Sequence, residues 1–157
     1  LVLKKSLAAL EDHFDYVLID CLPMLGILMV NALAACDKLL LPVQTEFLAL
    51  KGLDRMMNTL SMITKSRKSA LESIIVPTMF DRRTRASSES LRALREKYNE
   101  KVWTSVIPVD TQFREASRQG LPISLMNKST RGSKAYEALL EFLLNPVQER
   151  HLKLVSS

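Results

Sequence analysis

The sequence predicts an α/β fold, a mostly parallel, doubly wound sheet with flanking helices. Two observations carry that prediction. Short apolar runs rich in Val, Ile and Leu recur along the chain without polar alternation, the pattern of strands buried on both faces. Between them lie longer stretches whose apolar residues fall three and four apart, the period of a helix packed along one side. Strands alternating with helices imply right-handed crossovers and hence parallel pairing.

The elements follow in chain order. Phe14-Asp15-Tyr16-Val17-Leu18-Ile19-Asp20 reads as a first strand that ends in a carboxylate. The apolar run Leu22 to Cys36 contains Asn31 and falls short of the roughly 20 residues that span a bilayer, so it predicts no membrane segment. Lys38-Leu39-Leu40-Leu41-Pro42-Val43 reads as a second strand. Leu50, Leu53, Met57, Leu60 and Ile63 mark one face of a long helix, with Met56, Met57 and Met62 as core filling. Ser73 to Met79 and Lys101 to Pro108 read as further strands, and prolines at or near strand ends stop the ladder. Leu91, Leu94 and Tyr98 stripe one helix; Tyr136, Leu139, Leu140 and Leu143 stripe the last, with Ser133 as its N-cap. The folded domain is expected over residues 1–145, with 146–157 a fraying tail.

Composition narrows the function. With 157 residues, 47% hydrophobic and 25% charged, the chain suits one globular domain. A net charge of +5 permits an acidic partner without requiring one. Cys21 and Cys36 make no disulfide framework, and His13 and His151 lack nearby ligands, which argues against zinc and for a reduced, cytoplasmic setting. Lys4 and Lys5 precede only a brief apolar patch before Glu11 and Asp12, so no signal peptide is read here. The first residue is Leu rather than Met, which suggests a piece of a longer product.

Doubly wound sheets bind ligands beyond the carboxyl ends of their strands. That rule selects residues 20–26, 44–47, 80–85 and 108–115. Asp20, at the end of an apolar strand, has the form of a Walker B carboxylate that holds Mg2+ through water. Taken alone, a buried strand ending in Asp is more often only a strand end.

Its context is more specific. Asp20-Cys21-Leu22-Pro23-Met24-Leu25-Gly26, Val30 to Asp37 and Pro42 to Leu53 resemble the ParA/Soj branch of the ParA/MinD superfamily, the deviant Walker ATPases with a P-loop NTPase-like fold. The likeness continues through Asp81 to Arg85, Val106-Ile107-Pro108, Glu115-Ala116-Ser117 and Ser129 to Gly132, in collinear order over residues 10 to 145. The wording of Gln44 to Leu53 and of Pro108 to Thr111 is similar to the ParC-like subgroup encoded with polar chemotaxis genes.

The resemblance implies ATP and Mg2+ as cofactors and an ATP-dependent homodimer that positions cargo in a bacterial cell. That cargo is a chromosome or plasmid in the partition family, and here polar chemotaxis arrays. Asp20 matches the magnesium-proximal aspartate, and Cys21, Leu22, Pro23 and Gly26 match switch II. The usual Pro-Pro stands here as Leu22-Pro23 and the usual Ser as Met24. Phe80, Asp81, Pro108, Val109 and Asp110 match the two loops that enclose adenine, and Gln44 and Glu46 match contacts across the dimer. Arg83 matches an arginine that binds DNA phosphates nonspecifically, whereas its second such partner aligns with Gln112, which weighs against nucleoid binding. The bland reading of Arg82, Arg83 and Arg85 is a solvated helix start. A ParB-like protein or a polar adaptor is the implied stimulating partner, at the cell pole or the nucleoid.

No Lys-Gly-Gly-x-Gly-Lys-Thr loop occurs in the 157 residues, which hold only four glycines. In the family that loop cradles the phosphates, and the P-loop lysine and switch I aspartate lie before the region matched here. The chain alone is therefore expected to be inactive, with the N-terminal P-loop strand and helix absent and an exposed sheet edge as a dimerisation hazard. An alternative reading is a non-catalytic landmark adaptor. Electron-transfer relatives need cluster-binding cysteines, which Cys21 and Cys36 do not resemble.

Overall fold

The computed structural model describes residues 2–10, 13–22, 26–65 and 71–144. Strands β1 (Lys38–Gln44) and β2 (Glu72–Thr78) pair in parallel, with Lys38 opposite Glu72 and Gln44 opposite Thr78. The crossover between them carries helix α3 (Phe47–Thr64), as predicted. Helix α4 (Arg85–Tyr98) and a 3-10 turn at Asn99–Lys101 lead into a third extended segment. Helices α1 (Val2–Ala8), α2 (Ile27–Ala35), α5 (Gln112–Gln119), α6 (Ile123–Met126) and α7 (Arg131–Leu144) complete the described elements. Gly120 ends α5 with φ of 65°, the left-handed geometry that glycine adopts without a Cβ penalty.

Side chains alternate across β2 and make two cores. Ile75 joins Val43, Leu53, Leu94 and Val102 under α3 and α4, and Ile74 and Val76 join Trp103, Ile107 and Leu139 under α7. A third cluster seats Met29 and Leu33 of α2 against Leu60 of α3. Met56 and Met57 pack as expected, but Met62 is exposed. The cores are tied at their ends. Asp54 of α3 accepts from Tyr98 Oη at 2.6 Å and pairs with Lys97 at 2.8 Å, and Lys38 Nζ of β1 donates to the Leu143 carbonyl of α7 at 3.3 Å.

Two expected strands are corrected. Residues 101–108 run parallel to β2 but form only isolated bridges, Ile75 with Val102 and Phe80 with Pro108. The cause is Pro77. Trp103 N donates to Ile75 O at 2.9 Å and Ile107 N to Pro77 O at 2.8 Å, so the odd-numbered groups of β2 face this segment. Pro77 therefore withholds its N–H from this segment, and the chain bends at Thr104–Ser105. Pro42 is placed differently. Thr45 N donates to Thr78 O at 3.1 Å, so odd-numbered groups of β1 face β2 and the absent Pro42 N–H falls on the outer edge.

The other correction is Phe14 to Asp20, which joins no strand among the described residues. With no neighbour to cover it, Leu18 stays 93% exposed and Tyr16 74% exposed. The last helix also starts earlier than read: Thr130 Oγ1 accepts from Ser133 N at 3.0 Å, so Thr130 caps α7 and Ser133 is buried within it. The tail 146–157 lies outside the described residues. No described helix is long and apolar enough to cross a membrane.

Candidate functional site

The carboxyl end of the sheet brings several of the selected residues together. β2 ends at Thr78, and Met79 takes φ of 53°, a left-handed conformation that a non-glycine residue adopts only under constraint. This turn delivers Phe80 to the third segment. Phe80 N donates to Ile107 O at 3.1 Å, and Val109 N donates to Phe80 O at 3.0 Å. The two loops picked from sequence, Phe80-Asp81 and Pro108-Val109-Asp110, are thus hydrogen-bonded side by side.

Each loop is braced from behind by a carboxylate. Asp81 Oδ1 accepts from Arg83 N at 3.0 Å and from Arg83 Nε at 2.9 Å, while Oδ2 accepts from an Arg83 terminal nitrogen at 2.7 Å. The Arg83 side chain, with a charge-assisted fork, pulls the Asp81 carboxyl down to about 2 and raises the Arg83 guanidinium in turn. Asp110 Oδ1 accepts from Gln112 N at 3.0 Å, and its Oδ2 accepts from Gly132 N at 2.9 Å. The Gly132 amide is the main reason the Asp110 carboxyl sits below its ordinary value, and the Arg131 charge lowers both Asp81 and Asp110 further.

A buried hydroxyl chain, missed in the sequence, links this end of the sheet to α4. Thr45 and Ser87 are both buried, and their hydroxyl oxygens lie 2.6 Å apart. Asp81 N donates to Ser87 Oγ at 3.2 Å, and Thr45 Oγ1 donates to Thr78 O at 3.5 Å. The Ser87 proton therefore goes to Thr45. Thr84 caps α4 by accepting from Ser87 N at 3.4 Å, so Thr84-Arg85-Ala86-Ser87 is local capping that a capping scan could have flagged.

The remaining selected residues are spread over open surface. Gln44 and Glu46 are exposed at the carboxyl end of β1, where Glu46 is the N-cap of α3 with no side-chain bond. Asp20, Cys21 and Leu22 are exposed, and Gly26 precedes α2 with open space where a Cβ would stand. Pro23 lies outside the described residues. No cluster of His, Cys, Asp and Glu suited to a metal occurs among the described residues; Asp20 is the candidate, and an exposed single carboxylate fits only a water-mediated Mg2+ contact. Arg85 pairs with Glu89 at 2.6 Å on the first turn of α4, so of the basic trio only Arg82 has no partner among the described residues.

Comparison with known proteins adds context to this geometry. The family model of an AAA domain matches residues 1–73. The chain is 38% identical over 140 residues to the chromosome-partitioning ATPase Soj of Treponema pallidum, covering 88% of this chain and 55% of the relative. It is 36% identical over 154 residues to the chromosome partitioning protein ParA of Caulobacter vibrioides, covering 96% of this chain and 58% of the relative. Among solved structures it resembles cobyrinic acid a,c-diamide synthase from Mycobacterium smegmatis with bound ATP analog and magnesium. The TM-score is 0.72 with 30% identity, over 91% of this chain and 53% of that one. The chain thus spans about half the length of the curated relatives it matches. The fold is α/β with a parallel sheet and flanking helices, like these P-loop NTPase-like neighbours, and the sequence is similar to Soj and ParA partitioning proteins over 88% and 96% of its length.

Proposed function

We propose that this chain supplies the base-side half of the ATP site of a ParA-type positioning ATPase. The single observation that carries the reading is the Phe80 to Val109 pairing, which sets two loops side by side beyond the carboxyl end of the sheet. On this reading Phe80 offers an apolar face, and Pro108 and Val109 offer fixed backbone groups to adenine. Asp20 would approach Mg2+ through water, and Cys21, Leu22, Pro23 and Gly26 would respond to the terminal phosphate as switch II. Phosphate cradling needs a glycine-rich loop, which these 157 residues do not contain.

In the whole protein, ATP would hold a homodimer together through the exposed Gln44 and Glu46, and hydrolysis stimulated by a ParB-like or polar adaptor protein would release it. The domain on this reading covers residues 1–145. Polar chemotaxis arrays are the proposed cargo, at the cell pole rather than the nucleoid. One observation weighs against DNA: the exposed Arg83 fork is already paired with Asp81, so a phosphate contact would compete with that pair. The second reading is a non-catalytic landmark adaptor.

Steady-state ATP turnover separates the two. The full-length gene product containing this chain is expected to hydrolyse ATP with Mg2+, and the 157-residue chain by itself is not. Turnover by the isolated chain would refute the half-site reading, and none by the full-length product would favour the adaptor.

A further inference from the structure

Asp110 was selected as a nucleotide contact, yet its carboxylate is already engaged by two backbone amides and by the Thr130 side chain. Oδ1 caps the first turn of α5 through Gln112 N, and Oδ2 reaches 22 positions along the chain to Gly132 N in the first turn of α7. A third contact closes the arrangement. The Phe113 ring lies over Gly132, where an added Cβ would meet Phe113 Cζ at 2.5 Å, Cε2 at 2.7 Å and Asp110 Oδ2 at 3.2 Å. Phe113 also meets Tyr136 edge to face at 5.7 Å between ring centroids. One side chain therefore ties two helix starts together directly behind the residues that bond Phe80.

We infer that Asp110 is a positioning residue, which holds the Pro108–Val109 backbone against Phe80 by clasping α5 to α7 and does not itself touch the nucleotide. This rests on the nucleotide reading above. The Val109 N–H is spent on Phe80 O, so the register of that bond fixes which backbone groups of the loop remain free to meet a base. Loss of the clasp frees the loop to slide relative to Phe80, and base discrimination then falls while the affinity for phosphates, which depends on other parts of the site, stays. Gly132 is required by the same clasp, since any Cβ there displaces Phe113.

The test is equilibrium binding of fluorescent ATP, fluorescent GTP and tripolyphosphate, each with Mg2+, to the full-length gene product and its Asp110→Ala and Asp110→Asn variants. Removal of a charge-assisted bond predicts that Asp110→Ala weakens ATP binding about tenfold and narrows the ATP-over-GTP preference, with tripolyphosphate unchanged. Asp110→Asn has one acceptor oxygen for the two backbone N–H donors and is expected to restore at most part of the preference. Equal losses for all three probes would mark a merely structural role and overturn the inference. So would an Asp110→Ala variant with unaltered selectivity, or an Asp110→Asn variant that restores the preference in full. Failure of the unsubstituted protein to bind ATP overturns the nucleotide reading itself.

Discussion

Arg83 and Asp81 show how two residues chosen for separate tasks can occupy each other. Sequence resemblance selects Arg83 for polyanion contact and Asp81 for nucleotide, yet three hydrogen bonds of 2.7–3.0 Å join them two positions apart. Their spacing alone gave no warning, because the fork closes only where the turn after Phe80 brings both side chains to one side. The pair makes a pH prediction. Asp81 titrates near about 2 when folded against a usual value of 3.8, so its contribution is complete above the usual value and is lost as pH falls from there toward 2. Carboxyl-detected NMR should place the Asp81 midpoint near about 2, and Arg83→Gln should return it toward 3.8. A midpoint near 3.8 in the unsubstituted chain would remove the ion pair from the account. Both residues are largely surface features, so the measurement reports pairing and not global stability.

At the scale of elements, strand length and apolarity carried the reading where a neighbour exists and misled it where none does. β1, β2 and α3 appear where periodicity put them, since each finds a packed face: Leu53 and Leu60 of α3 are buried, as are Val43 and Ile75. Phe14 to Asp20 has the same apolar character but joins no strand among the described residues, and Lys101 to Pro108 is broken opposite Pro77. A strand is a pairing property, and composition reports only readiness to pair. The hydroxyl chain from Asp81 through Ser87 to Thr45 was illegible for a related reason: it joins residues 42 positions apart that meet only when α4 docks on the sheet. Ser87→Ala leaves the Thr45 hydroxyl and the Asp81 amide without their shared partner. It should cost about 1–3 kcal/mol in urea-induced unfolding, whereas a shift within error would mean that the chain contributes nothing to docking α4.

On the scale of the whole molecule, the candidate site is half legible and half absent. Phe80 and Val109 are hydrogen-bonded side by side, while Asp20 lies on an exposed segment that pairs with no strand among the described residues, and Pro23 lies outside them. Phe14, Tyr16, Leu18, Ile27 and Leu28 are more than half exposed, an apolar display unusual for a folded domain and expected of a segment about half the length of its relatives. The physics of the sheet end was readable because strand termini and prolines are local signals. Phosphate chemistry was not, because it depends on a glycine-rich loop that these residues do not include. Packing of adenine against the paired loops is open to direct test by photolabelling. The full-length gene product containing this chain would be irradiated with 2-azido-ATP and Mg2+ and its labelled peptides sequenced. Label is expected on the Met79–Asp81 and Ile107–Asp110 segments, competed away by ATP; label competed by ATP but confined to other segments would place adenine elsewhere.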